Sequence, residues 1–303
     1  MLKITLLNIA RQFGYKKGYR EFVNKISSDP LNSKIHFQYA VYAFGKKHYY
    51  LSIAEIKTAE FLDATDAEVQ RYKKIILSKM PRIDIMNHNQ YFRLKSLALE
   101  LRSRNSGGKY SVLDVGGGDG RLASFIPEAY YCLAEPNMNG ISGIDLPFPD
   151  HSFDYVVSCH VLEHIPVTNR IKFIDQLLSK SKNGIILLNP FHVDKSFTEE
   201  SEKLVMEITG AEWAKEHLEC TLPKIEDIKK YANERGLQIN IKPNGTSSTT
   251  LALVFADYFF SKSYSKSGWE NMNMFLNANF NNERIDSEKY PTAYIVYLGW
   301  PEK

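Results

Sequence analysis

Ser111-Val112-Leu113-Asp114-Val115-Gly116-Gly117-Gly118-Asp119-Gly120 decides how the rest of the chain is read. Val112, Leu113 and Val115 suit a buried, pleated strand. Gly116 to Gly118 then let the backbone turn sharply and approach a ligand closely, because no Cβ intervenes. A helix is expected to start near Arg121 and run through Leu122-Ala123-Ser124-Phe125-Ile126. A strand, a glycine turn and a helix N-terminus together make a nucleotide-type pocket. The plain alternative is a tight strand–helix turn with no ligand, since short glycine motifs recur by chance.

The glycines fall at Gly116, Gly118 and Gly120, and Arg121 occupies the third position of a dinucleotide Gly-x-Gly-x-x-Gly fingerprint. Asp114 and Asp119 flank the turn, and two carboxylates repel a pyrophosphate. A ligand carrying cationic groups is favoured instead. S-adenosylmethionine has an ammonium, a sulfonium and no phosphate, and this stretch resembles motif I of the class I S-adenosylmethionine-dependent methyltransferases.

Outward from the turn the pattern is regular. A helix precedes it over residues 91–101 and ends at Asn105-Ser106-Gly107-Gly108. Tyr130-Tyr131-Cys132-Leu133-Ala134 follows as a second strand and ends at Glu135-Pro136. Residues 154–159 form the next strand, residues 171–178 a helix, and residues 185–189 another strand. Strands alternating with helices predict a doubly wound, mostly parallel α/β sheet. Ser196-x-x-Glu199 is a capping box, and a further helix runs from Pro223 to Gly236. The last strands are expected at residues 237–241 and 293–298.

The resemblance extends beyond the turn. Asp145-Leu146-Pro147-Phe148-Pro149-Asp150-His151-Ser152-Phe153-Asp154, with Val161-Leu162-Glu163-His164-Ile165-Pro166 behind it, is similar to the "LPFPD-x-SFD … VLEHI" run of small-molecule class I methyltransferases. It covers residues 90 to 190 well and residues 1 to 85 not at all. The resemblance implies a seven-stranded, Rossmann-like sheet and S-adenosylmethionine as cofactor, with S-adenosylhomocysteine as product. It implies a cofactor site made of Asp114, Val115, Gly116, Gly117, Gly118, Asp119, Glu135, Pro136, Asp145, Leu146, Cys159 and His160. Glu135 is expected on the ribose hydroxyls. Asp145 is the remaining carboxylate for the adenine amine, with a turn cap as its alternative. Glu163 reads equally as an acid favoured by a helix N-terminus.

The sulfonium is already an activated methyl donor, so holding donor and acceptor in line can supply roughly 7–11 kcal/mol of the barrier. A base is needed mainly for a neutral hydroxyl acceptor. His164 and His192 are the candidates, each with a structural role as the alternative. The sequence shows no acidic triad at ligand spacing. No metal site is therefore expected.

The N-terminal stretch, residues 1–85, is expected to be a mainly helical extension to a methyltransferase domain over residues 86–303. Ile35, Phe37, Tyr39 and Val41 alternate as in a strand, and Gly45-Lys46-Lys47 would turn it into a second strand at residues 49–52. Thr65-x-x-Glu68 is a capping box for a helix that Pro81 stops. This stretch serves either substrate recognition or homodimerisation. Residues 191–222 and 250–290 are expected to be substrate insertions.

Composition bounds the remaining choices. The 303 residues are 44% hydrophobic and 24% charged, ordinary for a globular chain. A net charge of +3 is too small to imply nucleic acid or an anionic membrane. Three separated cysteines, Cys132, Cys159 and Cys220, fit a reducing cytoplasm better than a disulfide framework. No signal peptide and no spanning helix is read. The expectation is methyl transfer to an oxygen or nitrogen of a small molecule or glycan precursor. The alternatives are a non-catalytic interaction module on the same fold and a nucleic-acid or protein methyltransferase.

Overall fold

The computed structural model describes residues 17–105, 107–192, 198–263, 266–280 and 291–301. The aliphatic runs become strands: β1 (Ser111–Val115), β2 (Tyr130–Ala134), β3 (Phe153–Cys159), β4 (Ser181–Asn189), β5 (Gln238–Thr246) and β6 (Pro291–Gly299). They lie in the order β2-β1-β3-β4-β6-β5. β1 pairs in parallel with β2 (Leu113 opposite Cys132) and with β3 (Leu113 opposite Val156). β6 runs antiparallel to both neighbours, with Val296 opposite Leu187 and Ile241. The sheet is thus mixed α/β with six strands among the described residues, against the seven expected. The segment between β2 and β3 forms turns and only an isolated bridge from Ser142 to Asp145.

The chain divides into two compact units. The first comprises Met1–Pro81, Gly108–Val157 and Lys172–Lys182; the second comprises Arg82–Gly107, Ser158–Ile171 and Asn183–Lys303. The N-terminal helices belong to the unit that carries β1 and β2.

In the first unit the helices are α1 (Lys17–Ser28), α2 (Ser33–Gly45), α3 (Tyr49–Leu62) and α4 (Ala67–Leu77). The expected hairpin at 35–41 and 49–52 is replaced by α2 and α3. His36, Tyr39, Ala40 and Ala43 are buried at helical spacing, and this periodicity outweighed the alternation of Ile35, Phe37, Tyr39 and Val41. Asn32 caps α2 by accepting from Lys34 N and Ile35 N. The capping box at Thr65 is also corrected. Asp66 is the N-cap, accepting from Glu68 N and Val69 N, while Thr65 bonds Asp63. The helix ends at Leu77, before Pro81.

α3 is buried from Leu51 to Glu60 and packs on β2, which is a sheet edge. An uncovered edge presents unpaired backbone groups. Here Thr58 Oγ1 accepts from Leu133 N at 3.3 Å, and Asn139 Nδ2 donates to Leu133 O at 2.8 Å. Lys57 Nζ donates to Pro127 O and Ala129 O just ahead of the strand. A helix and an asparagine thus take the place of the missing third strand.

The second unit holds α5 (His88–Arg104), the start of α6 (Val167–Lys180), α7 (Thr198–Thr209), α8 (Glu212–Cys220), α9 (Ile225–Glu234), α10 (Ser247–Lys262) and α11 (Lys266–Asn279). Asn273 and Asn277 of α11 bond the backbone and ring of His88, fixing the start of α5. The expected capping residue Ser196 lies outside the described residues.

Candidate functional site

The turn after β1 is the centre of the first unit. Gly116 and Gly118 adopt the left-handed region, with φ of 78° and 58°. Gly117 is required for space: a Cβ there would lie 2.2 Å from Asp114 Oδ2. The Asp114 carboxylate thus sits beneath the turn, buried, and accepts from Tyr131 OH at 2.7 Å. Burial raises its pKa to about 7, against the Tyr131 bond, which lowers it; the nearby Glu135 charge raises it further. Val115 is likewise core.

Glu135 ends β2 and reaches back to the turn. Its Oε2 accepts from Gly118 N at 3.2 Å and its Oε1 from Asn137 N at 3.1 Å. Burial raises its pKa, against the two backbone N–H groups. Gly116 N donates to Ala134 O, closing the turn onto β2. The structure therefore brings Asp114, Gly116–Gly118 and Glu135 together, as expected.

Two sequence expectations change here. The helix after the turn is a single 3₁₀ turn, Arg121–Ser124, which Pro127 prevents from continuing. It provides no helix dipole for a ligand. Nor do two bare carboxylates flank the turn. Asp119 is paired with Arg121, at 2.8 Å and 3.1 Å, and Asp114 lies below the surface. The Arg121 guanidinium also lies 5.1 Å from the Tyr50 ring centroid.

The N-terminal helices add what the motif does not show. A cavity of about 320 Å³ is lined by Tyr19, Lys47, His48, Tyr49, Tyr50, Leu51, Pro81, Asp119 and Met138. All belong to the first unit. A buried network links these helices to the turn. His36 Nδ1 donates to Glu55 Oε2 at 2.6 Å, and Asn139 Nδ2 donates to Glu55 Oε1 at 3.1 Å. Asn139 Oδ1 in turn accepts from Glu135 N at 3.0 Å. Burial alone lowers the His36 pKa, but Glu55, Pro30 O and Asp29 together raise it.

The segment from Asp145 to Asp154 packs within the first unit and ties β3 to β1. Asp145 is exposed and bridges to Ser142. Leu146 is buried, its N–H donating to Gln176. Phe148 packs edge-on against Phe153, which stacks on Phe61 at 4.7 Å. Asp154 accepts from Ser111 N and Oγ, tying β3 to β1. Pro136 is exposed.

In the second unit, β3 ends at Cys159, which is half-buried and not in a disulfide. His160 follows with φ of 55°. Its pKa falls to about 4, through burial and then the Arg93 charge, against Glu163. Glu163 lies in a 3₁₀ turn, Leu162–His164, and is fully buried, so it is not an exposed acid at a helix start. Asn189 Nδ2 donates to its Oε2. Burial raises the Glu163 carboxyl, but His160, His164 and His217 outweigh this and hold it below its ordinary value.

His217 and Glu202 join this cluster from α8 and α7, a contact no local spacing reveals. His217 Nδ1 lies 2.8 Å from Glu202 Oε1, and its Nε2 lies 3.8 Å from Glu163 Oε1. His164 is a third exposed, 3.1 Å from Glu216, with its ring 4.9 Å from the His217 ring. Its pKa is lowered by burial and by His217, against Glu163 and Glu216. His192 stands elsewhere in this unit: its N–H donates to Pro223 O and it bridges to Lys224.

Comparison with known proteins bears on this arrangement. The model of a family described as a methyltransferase domain matches residues 86–240. Ajmaline N-methyltransferase of Rauvolfia serpentina is 39% identical over 62 residues, which are 20% of this chain and 21% of that protein. The chain thus spans about a fifth of the curated relative it matches. Among solved structures, YcgJ of Bacillus subtilis is 14% identical with a TM-score of 0.41, over 69% of this chain and 99% of that one. A SAM-dependent methyltransferase from Archaeoglobus fulgidus is 16% identical with a TM-score of 0.42, over 68% and 94%.

Proposed function

We propose that this chain, which belongs to the methyltransferase-domain family matched over residues 86–240, transfers a methyl group from S-adenosylmethionine to an oxygen or nitrogen of a small molecule. One observation carries the reading. The Glu135 carboxylate meets the Gly118 N–H at 3.2 Å, so an acid and a left-handed glycine turn share one edge of the β1–β2 pair. That is the arrangement a ribose diol beside a tight turn requires. Asp114 supports the turn from below and is assigned to its geometry rather than to direct charge attraction. Asp119 pairs with Arg121 at the cavity wall and is the nearer carboxylate for a cationic group.

The acceptor is proposed to enter the cavity of about 320 Å³ beside Asp119, a volume suited to a small molecule or a sugar rather than a polymer. Tyr19, Tyr49 and Tyr50 offer it aromatic walls. The transfer is an in-line displacement: the acceptor lone pair forms the new bond to the methyl carbon as the carbon–sulfur bond breaks. Both electrons of that bond stay on sulfur, leaving S-adenosylhomocysteine. Positioning carries most of the rate, and a nitrogen acceptor presenting its lone pair needs no base. The expected setting is the cytoplasm.

Calorimetric titration with S-adenosylmethionine tests the reading. The full chain is expected to bind one equivalent, and Gly117→Ala to weaken binding by roughly tenfold or more, about 1.4 kcal/mol. Absence of saturable binding by the unaltered chain rejects it in favour of a non-catalytic module.

A further inference from the structure

The cluster in the second unit has a feature that hydrogen bonding leaves unexplained. His217 Nδ1 lies against Glu202 Oε1 at 2.8 Å, and a carboxylate only accepts, so Nδ1 carries the proton. In the neutral ring Nε2 then bears a lone pair. It faces Glu163 Oε1, another lone-pair atom, at 3.8 Å. Glu163 is fully buried, yet Oε1 has no well-formed hydrogen bond, with His160 Nδ1 3.1 Å away. His164 Nδ1 also lacks a hydrogen-bond partner, although Glu216 is 3.1 Å from it. A buried polar atom left in this way is costly unless something satisfies it.

Lone pairs converging on one point call for a cation. One ligand atom from each of Glu163, His164 and His217 lies within 4.8 Å of the other two. Arg93 and Arg170 bring positive charge nearby, but Arg93 Nε donates to Asn89 O, and Arg170 to the carbonyls of Ile165, Cys220 and Thr221. We propose that Glu163, His164 and His217 bind one first-row transition-metal dication of the zinc type. Two imidazoles and a carboxylate suit such an ion better than magnesium or calcium, which prefer oxygen ligands.

The surroundings match what a metal site needs. Glu202 fixes the His217 tautomer, and Asn189 orients the Glu163 carboxylate, as outer partners of metal ligands do. Metal–ligand bonds of about 2.0–2.2 Å place neighbouring ligand atoms a little over 3 Å apart, so the 3.8 Å gap needs only a small closure. His164, a third exposed, leaves a way in and an open position for water. The ion would clamp the turn after β3 to α8, and His164 would serve as a ligand rather than a general base. This inference does not depend on methyl transfer.

The test uses the full chain, stripped with a chelator and titrated with Zn²⁺ alone by calorimetry, with bound metal counted by mass spectrometry. One zinc per chain is expected, together with a raised Tm. His217→Ala and Glu163→Gln should each weaken binding by more than the roughly tenfold to hundredfold that losing an outer partner costs. Cobalt loading should give the visible bands of a low-coordinate nitrogen and oxygen site in the unaltered chain and lose them in His217→Ala. No stoichiometric zinc and no rise in Tm for the unaltered chain overturns the proposal, even if both variants fail to fold. Equal affinity in a folded His217→Ala overturns the ligand set. S-adenosylmethionine binding by the stripped chain is scored separately, so the two readings fail independently.

Discussion

The turn after β1 and the cluster after β3 both bury carboxylates, but they treat them differently. At the turn each buried acid meets a donor: Asp114 meets Tyr131 OH, and Glu135 meets Gly118 N and Asn137 N. Glu55 behind them meets His36 and Asn139. In the cluster, Glu163 Oε1 lies 3.8 Å from His217 Nε2 without a hydrogen-bond partner, and His164 Nδ1 lacks one too. The difference separates a framework that is complete in protein alone from one that needs a further group. A glycine turn whose supporting acids are satisfied from below is free to spend its exposed edge on a ligand.

The comparison can be broken at its most heavily buried point. Glu55→Ala leaves a buried His36 and Asn139 without their acceptor and should cost about 3–5 kcal/mol in urea unfolding. A loss under 1 kcal/mol would mean that the N-terminal helices do not support the turn through this network. Gly117→Ala comes next; pressing a methyl group on the Asp114 carboxylate should reduce cofactor affinity while changing the midpoint of unfolding less than Glu55→Ala does. Equal affinity would place the ligand away from the turn.

Tyr131→Phe removes the one donor that Asp114 is seen to have and should cost about 1–3 kcal/mol. It should also push the Asp114 carboxyl above its value of about 7, because the lost bond was lowering it. Carbon-detected NMR titration reads this directly. Asp114 is raised above its unfolded value of 3.8, so the folded state holds the extra proton between pH 4 and 7. Its contribution is present below that window and is lost as pH rises through it.

Lys57 provides the opposite slope. Burial lowers its pKa to about 8 from 10.5, reinforced by Lys73 and opposed by Glu60 and Glu128. Between those values the unfolded chain binds more protons, so this residue makes stability rise with pH. Lys57→Met should flatten that rise between pH 8 and 10.5. The smallest effect is expected for exposed Asp145→Ala, within about 0.5 kcal/mol of stability. A clear loss of cofactor affinity in the same variant would restore Asp145 as an adenine contact.

Legibility in the sequence followed the range of the interactions. Val112-Leu113-Asp114-Val115 and the glycines after it act over a few residues, and strand, turn and Glu135 were all found where expected. The LPFPD run was found too, but its physical work is the Phe148–Phe153–Phe61 stack and the Asp154–Ser111 tie. The hairpin expected over 35–52 failed because the segment carries both periodicities. Packing α3 onto the edge of β2 selected the helical one. No local spacing points to His217, because it lies far along the chain from Glu163.

The chain by itself determined the β1 turn, the alternation of strands and helices around it, and the family they belong to. These rest on hydrophobic periodicity and on glycine's freedom at positive φ, both local properties. Tertiary structure alone decided that a helix replaces the third strand, that Asp114 lies under the turn, and that Glu163, His164 and His217 meet. Those outcomes depend on which buried groups find partners, and the partners come from distant parts of the chain.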